Sequence, residues 1–174
     1  MSRAAEHHVL ALFPSARGLG FAYFTPDERL VDWGAVAIRT NEKNAAALIA
    51  ARRLLVRFAP TVVALEDAKR SPSRRHPRIK QLEAALETAC LEHGSEVLRF
   101  SPETVREYFG TRTKHELAEM IGRAFPAIAH RVPPARKPWT SEDLRQALFD
   151  AVALALVCFA ALAARAGEDP PVAA

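Results

Sequence analysis

The sequence predicts an α/β domain built on a mixed sheet, three antiparallel strands followed by parallel ones, with helices on its flanks. Three observations carry that expectation. Three short apolar segments open the chain, separated by turn residues. The run Thr61-Val62-Val63-Ala64-Leu65 is almost wholly apolar, as a strand covered on both faces must be. Segments with helical spacing lie between and after these runs.

Taken in order, His8 to Phe13 and Leu19 to Phe24 read as strands joined by the turn Pro14-Ser15-Ala16-Arg17-Gly18. Leu30 to Ile38 reads as a third strand closing an antiparallel meander. Asn41 is placed to cap a helix from Glu42 to Phe58, with Ala45, Leu48, Ile49, Leu55 and Val56 as its buried stripe. Pro60 ends it, and the apolar strand then leads to Glu66-Asp67. A polar loop from Ala68 to Pro77 precedes a helix from Ile79 to His93, stopped by Gly94. Glu96 to Phe100 is a further strand. Ser101 as N-cap and Pro102 at the first helical position open a short helix, and Thr113 to Phe125 forms another. A Pro- and Arg-rich loop, Pro126 to Pro138, leads to a last helix from about Ser141 to Arg165, and the tail 167–174 has a disordered composition. No internal repeat or linker divides the chain, so residues 1–174 are expected to form a single domain.

Bulk properties narrow the function classes. With 174 residues, 49% of them hydrophobic and 25% charged, the chain can build a proper core. A formal net charge of +4 permits nucleic-acid binding without establishing it. Cys90 and Cys158 stand in apolar helical contexts and read as buried free thiols, which points to a reducing, cytoplasmic setting rather than a disulfide or zinc framework. Met1 to His8 lacks the apolar stretch of a secretory signal. The run Ala151 to Ala164 is short for a bilayer and reads as a core helix, so no membrane partner is expected.

Two acids stand where chemistry would need them. Glu66 ends the apolar strand; its plainer reading is a turn acid paired with Lys69 or Arg70. Asp150 interrupts an otherwise apolar helical run, which is costly unless the carboxylate is paired or bound to metal. Its plainer reading is a salt bridge to a buried Arg or a helix cap to another element. Asp143 lies seven residues earlier, which on one continuous helix returns it to the face of Asp150 about 10 Å along the axis. With Glu142 it also reads as a first-turn acid favoured by the helix dipole.

Cations cluster beside these acids. Lys69, Arg70, Arg74, Arg75, Arg78 and Lys80 form a basic run without an acid, suited to phosphates. Arg136 and Lys137 form a second cluster with Arg131, ahead of Trp139, which either stacks on a base or packs against the last helix. Arg112, Lys114 and His115 form a third patch. His7 and His8 read as surface imidazoles with metal binding as the alternative.

The hairpin His8-Val9-Leu10-Ala11-Leu12-Phe13-Pro14 through Arg17-Gly18-Leu19-Gly20, the glutamate after an apolar strand and the segment Asp150-Ala151-Val152-Ala153 together resemble the RuvC-type Holliday-junction resolvases of the ribonuclease H-like superfamily. The resemblance runs from His8 to about Arg165. It implies a ribonuclease H-like mixed sheet, Glu66 and Asp150 as catalytic and metal-binding residues, Mg²⁺ or Mn²⁺ as cofactor, a DNA or RNA partner of structured form, and a homodimer. Asp143 is a weaker catalytic candidate from its spacing alone, too far along the helix to share one ion directly, and Arg17 in the hairpin turn is a candidate nucleic-acid contact. The resemblance also marks two departures. The family has a metal-binding aspartate where this chain has Phe13, and an acid or histidine where it has Ala147. Three readings follow: a nucleic-acid-binding protein with lost or reduced nuclease activity, an active Mg²⁺-dependent structure-specific endonuclease using Glu66 and Asp150, or a protein-interaction scaffold.

Overall fold

The computed structural model describes residues 6–67 and 77–167. Three antiparallel strands lead the chain: β1 (Val9–Ser15), β2 (Gly18–Phe24) and β3 (Leu30–Ala37). They are followed by α1 (Lys43–Phe58), β4 (Val62–Glu66), α2 (Pro77–His93), β5 (Glu96–Phe100), α3 (Pro102–Phe109) and α4 (Lys114–Ala124). A 3₁₀ turn over Pro126–Arg131 interrupts the expected loop before α5 (Gln146–Ala166). The sheet order is β3-β2-β1-β4-β5. β1 pairs antiparallel with β2 and parallel with β4, which is in turn parallel to β5. The mixed α/β sheet expected from the sequence is therefore present.

The period of two along each strand sorts side chains between two cores. Val9, Ala11 and Phe13 of β1 join Val62 and Ala64 of β4 against α5. Leu10, Leu12, Val63 and Leu65 face the other way, toward α1 and α2. α5 is apolar on nearly every side because it lies between the sheet and α3 and α4. Its 21 residues are long and apolar enough for a bilayer, longer than the run read from the sequence, but most of that surface is buried within the fold. Gly20 sets how closely α5 approaches: a β-carbon there would collide with the carbonyl oxygen of Ala147. Ala147 is thus pressed onto β2 at Gly20, the residue paired with Phe13 in the β1–β2 register.

Several local expectations are corrected. The hairpin turn is only Ala16-Arg17, since both strands extend further. Glu42, not Asn41, precedes α1 and makes no side-chain cap. The buried stripe of α1 is Ala47, Ala51, Leu54 and Leu55, while Ile49 and Val56 are exposed. That helix packs against α2 as well as the sheet, so its seam is rotated from the most apolar line in the sequence. Ser101 and Thr113 cap α3 and α4 as expected, the latter in a reciprocal capping box with Glu116. Gly167 ends α5 in the left-handed region; the rest of the tail lies outside the described residues.

Candidate functional site

Strand alternation brings two of the singled-out residues to one place. β1 and β4 pair through Leu12 and Leu65, and the next residue along each is Phe13 and Glu66. Phe13 shares the face of Val9 and Ala11, and Glu66 that of Val62 and Ala64, so both point toward α5. Asp67 is one residue further on, and its N–H donates to the Phe100 carbonyl at 2.8 Å. Asp150 reaches the same place from α5. Phe13, Glu66 and Asp150 line one cavity of about 420 Å³, walled also by Val105, Leu117 and Leu154. They are 4%, 7% and 7% exposed.

α4 delivers the residue that dominates this cavity. Thr113 caps the helix and Lys114 is its first residue, with its side chain directed back over the site. The Lys114 Nζ donates to Asp150 Oδ2 at 3.0 Å and lies 3.0 Å from both Glu142 oxygens. It also stands 5.2 Å from the centroid of the Phe13 ring, within cation–π range. Gln146 completes the group by donating from Nε2 to the Lys114 carbonyl at 3.2 Å and to Asp150 Oδ1 at 3.4 Å. Burial pushes the Asp150 carboxyl above the ordinary carboxylate range; Lys114 draws it partly back, and Glu142 adds to the rise. Burial also opposes the charge on Lys114, but Asp150 and Glu142 outweigh it and raise its pKa. Asp150 is thus salt-bridged, but its partner is the half-exposed Lys114 and not the buried Arg expected from the sequence.

Asp143 belongs elsewhere, which corrects its placement on one helical face with Asp150. α5 begins only at Gln146, because Asp143 Oδ1 accepts the backbone N–H of Arg145 at 2.9 Å and holds the chain in a turn. The Arg145 guanidinium clasps the same carboxylate, Nε at 3.0 Å and a terminal nitrogen at 2.7 Å. These hydrogen bonds lower the Asp143 pKa. Asp143 lines a second cavity, of about 730 Å³, and does not line the first.

That second cavity gathers Arg17, Arg136 and Lys137, together with Lys114, Glu142 and Asp143. The two cavities share Thr113 and Lys114 as a common wall. Arg136 Nε donates to the Thr140 carbonyl at 2.7 Å, which shapes the loop. Trp139 is 80% exposed, beside Lys137, and does not pack on α5 as one reading expected. Arg78 and Lys80 line neither cavity; Arg78 bonds Asn44 of α1 at 3.0 Å. Lys69, Arg70, Arg74 and Arg75 lie outside the described residues. His8 bonds the Tyr23 hydroxyl through Nδ1 at 2.7 Å and stacks on its ring. Cys90 and Cys158 are buried free thiols, each pushed up to about 12 by burial.

Sequence reasoning undervalued Lys114 and Glu142. Lys114 was one member of a basic patch, and Glu142 a first-turn acid. An ion-pair partner for a buried Asp150 was the signal that could have found them, but nothing in the sequence says which of many cations lies 36 positions away in the right place.

Comparison with solved structures identifies the fold. Thermus thermophilus RuvC in complex with a Holliday junction substrate aligns with a TM-score of 0.61 at 22% identity, covering 95% of this chain and 100% of that one. The chain has a RuvC-like, ribonuclease H-like fold. The same fold relates it to the fowlpox virus Holliday junction resolvase, with a TM-score of 0.52 at 13% identity over 87% of this chain and 97% of that one. The yeast mitochondrial Holliday junction resolvase aligns with a TM-score of 0.51 at 15% identity, over 84% and 75% of the two chains. No protein-family profile matches the sequence. A UPF0758 protein of Pseudomonas fluorescens (strain SBW25) is 31% identical over 126 residues, 62% of this chain. The match spans 56% of that relative's length.

The resemblance read from the sequence implies Mg²⁺ or Mn²⁺, and the residues around Glu66 and Asp150 do not fit such an ion well. Phe13 supplies no oxygen. Lys114 sets a positive charge 3.0 Å from Asp150, where an ion would be repelled. Among the described residues, no group of three or more His, Cys, Asp or Glu side chains is arranged to hold a metal.

Proposed function

We propose that this chain binds structured nucleic acid, DNA foremost, through the sugar–phosphate backbone and does not cleave it. The observation that carries the reading is Phe13 beside Glu66 and Asp150, an aromatic ring at the place where a two-metal nuclease needs oxygen. Two-metal catalysis of phosphodiester cleavage requires several carboxylates converging on both ions, and Glu66 with an Asp150 already paired to the Lys114 ammonium does not supply that. Binding is supported by the adjoining cavity, where Arg17, Arg136 and Lys137 come from the β1–β2 turn and the loop before α5. Such contacts position a backbone and carry no base sequence. The RuvC and fowlpox resolvase structures, solved with Holliday junctions, favour a branched partner.

The test is fluorescence anisotropy on a four-way junction, a duplex and a single strand across a salt series, with a parallel cleavage assay in Mg²⁺ and in Mn²⁺. The expected result is salt-dependent binding, tightest for the junction, with intact substrate. Cleavage abolished by Glu66→Gln would overturn the silent-enzyme reading. Equal, salt-insensitive binding to all three substrates would overturn the nucleic-acid reading.

A further inference from the structure

We infer that the Lys114 ammonium is a resident cation standing in for a divalent metal, and that Asp150 and Glu142 form a latent divalent-cation site uncovered when this charge is removed. The inference deepens the reading of the first cavity and does not depend on nucleic-acid binding.

A lysine ammonium has three N–H donors and a compact charge. Here Asp150 Oδ2, the Glu142 carboxylate and the face of the Phe13 ring surround it. Two carboxylates thus engage its charge directly, with the ring of Phe13 on a third side. Lys114 therefore acts as a charge-compensating residue, although it also lines the basic cavity. Its fixed position has sound causes. Thr113 and Glu116 cap α4 at its base, and Gln146 links the Lys114 backbone to the Asp150 carboxylate. Two carboxylate groups 3.0 Å from one cationic atom form a small oxygen-lined gap once that atom is gone. Mg²⁺ and Mn²⁺ commonly take one or two carboxylates and keep waters on their remaining positions. Phe13 blocks one side, so the latent site is poorer than a two-metal centre and takes a single ion.

Titration calorimetry and Mn²⁺ electron paramagnetic resonance on the full chain provide the test. Wild type should bind Mn²⁺ weakly. Lys114→Met, which keeps length and removes charge, should bind at least about tenfold tighter. Adding Asp150→Asn to Lys114→Met should abolish the gain, and Lys114→Arg should stay like wild type. A thermal melt of Lys114→Met should shift upward with Mn²⁺ while that of wild type does not. Wild-type binding as tight as that of the Met variant, and lost in Asp150→Asn, would overturn the inference. So would a folded Lys114→Met or Lys114→Gln that gains no Mn²⁺. These arms read metal alone, so a chain that bound no DNA would defeat the proposed function and leave this result standing.

Discussion

The cavity over Phe13 and its neighbour around Arg136 share a wall at Thr113 and Lys114, yet they compose their charge differently. The first is balanced: Glu66, Glu103 and Asp150 stand against Arg106, Arg112 and Lys114. The second carries Arg17, Lys114, Arg136 and Lys137 against only Glu142 and Asp143. The first is built on strands and a core helix, so its geometry is fixed by packing. The second is built largely on a turn and a loop. A charge-balanced pocket built on packed elements tolerates little substitution, whereas a basic one built on a turn and a loop attracts polyanions without demanding one shape. Within one RuvC-like fold, then, the charge-balanced pocket and the basic cavity are separable, and substitutions should affect them separately.

The largest expected effect is where α5 meets β2, beside the strand that carries Phe13. Gly20→Val should destabilise the fold by more than about 3 kcal/mol, because overpacking here forces α5 off β2. A urea melt indistinguishable from wild type would break the account of how the pocket is formed. Phe13→Asp should follow closely, since truncating a buried Phe costs about 3–5 kcal/mol. By itself it should not confer Mn²⁺ binding, because the new carboxylate would meet the Lys114 ammonium; Phe13→Asp with Lys114→Met should. Titration of both variants checks this. Ala147→Asp is a poor route to a further ligand, since Ala147 is pressed against Gly20.

The basic cavity should respond in affinity rather than stability. Replacing Arg17, Arg136 and Lys137 by Ala should leave the melting temperature near wild type and flatten the slope of log K against log[salt] by about 2–3, at roughly 0.9 per lost phosphate contact. An unchanged slope would remove these residues from the interface.

The smallest effect is one of pH, and it has opposite signs in the two cavities. The Asp150 pKa is raised on folding, so the folded state binds its proton more readily. Stability therefore falls as pH rises from the unfolded value of about 3.9 through the raised folded one. Relative to Asp150→Asn, wild type should gain stability on acidification through that window, although Lys114 and Gln146 moderate the gain. The Asp143 pKa is lowered by Arg145, so its contribution is present above about 3.9 and is lost as pH falls through the depressed folded value. Its partner is half-exposed, so this term is small. Denaturant melts of both Asn variants between pH 3 and pH 7, an interval of about four units around ordinary carboxylate values, check the signs.

The parts of this contrast differ in how much of them a reader of the sequence could have known. The sheet and the meeting of Phe13 with Glu66 follow from an alternation of two along short apolar runs, a local signal. The approach of Asp150 follows less directly, from a carboxylate too costly to bury alone. Lys114 was hidden because its ordinary cap sequence, Thr113 to Glu116, explains the helix start without revealing where the side chain goes. Asp143 misled because a continuous helix was assumed across Ser141 to Arg145, where an Asp–Arg turn competes with it. Ile49 and Val56 misled because apolarity marks a stripe, while helix–helix packing chooses which part of it is covered.

Cys90 and Cys158 give the molecule a practical property. With both sulfurs buried and their pKa values pushed up to about 12, neither offers a thiolate to an alkylating dye at neutral pH. A single cysteine introduced at the exposed Trp139 would therefore be the one reactive handle among the described residues. A fluorophore there would sit at the rim of the basic cavity, next to Lys137, and report occupancy of that cavity without disturbing the pocket beneath Lys114.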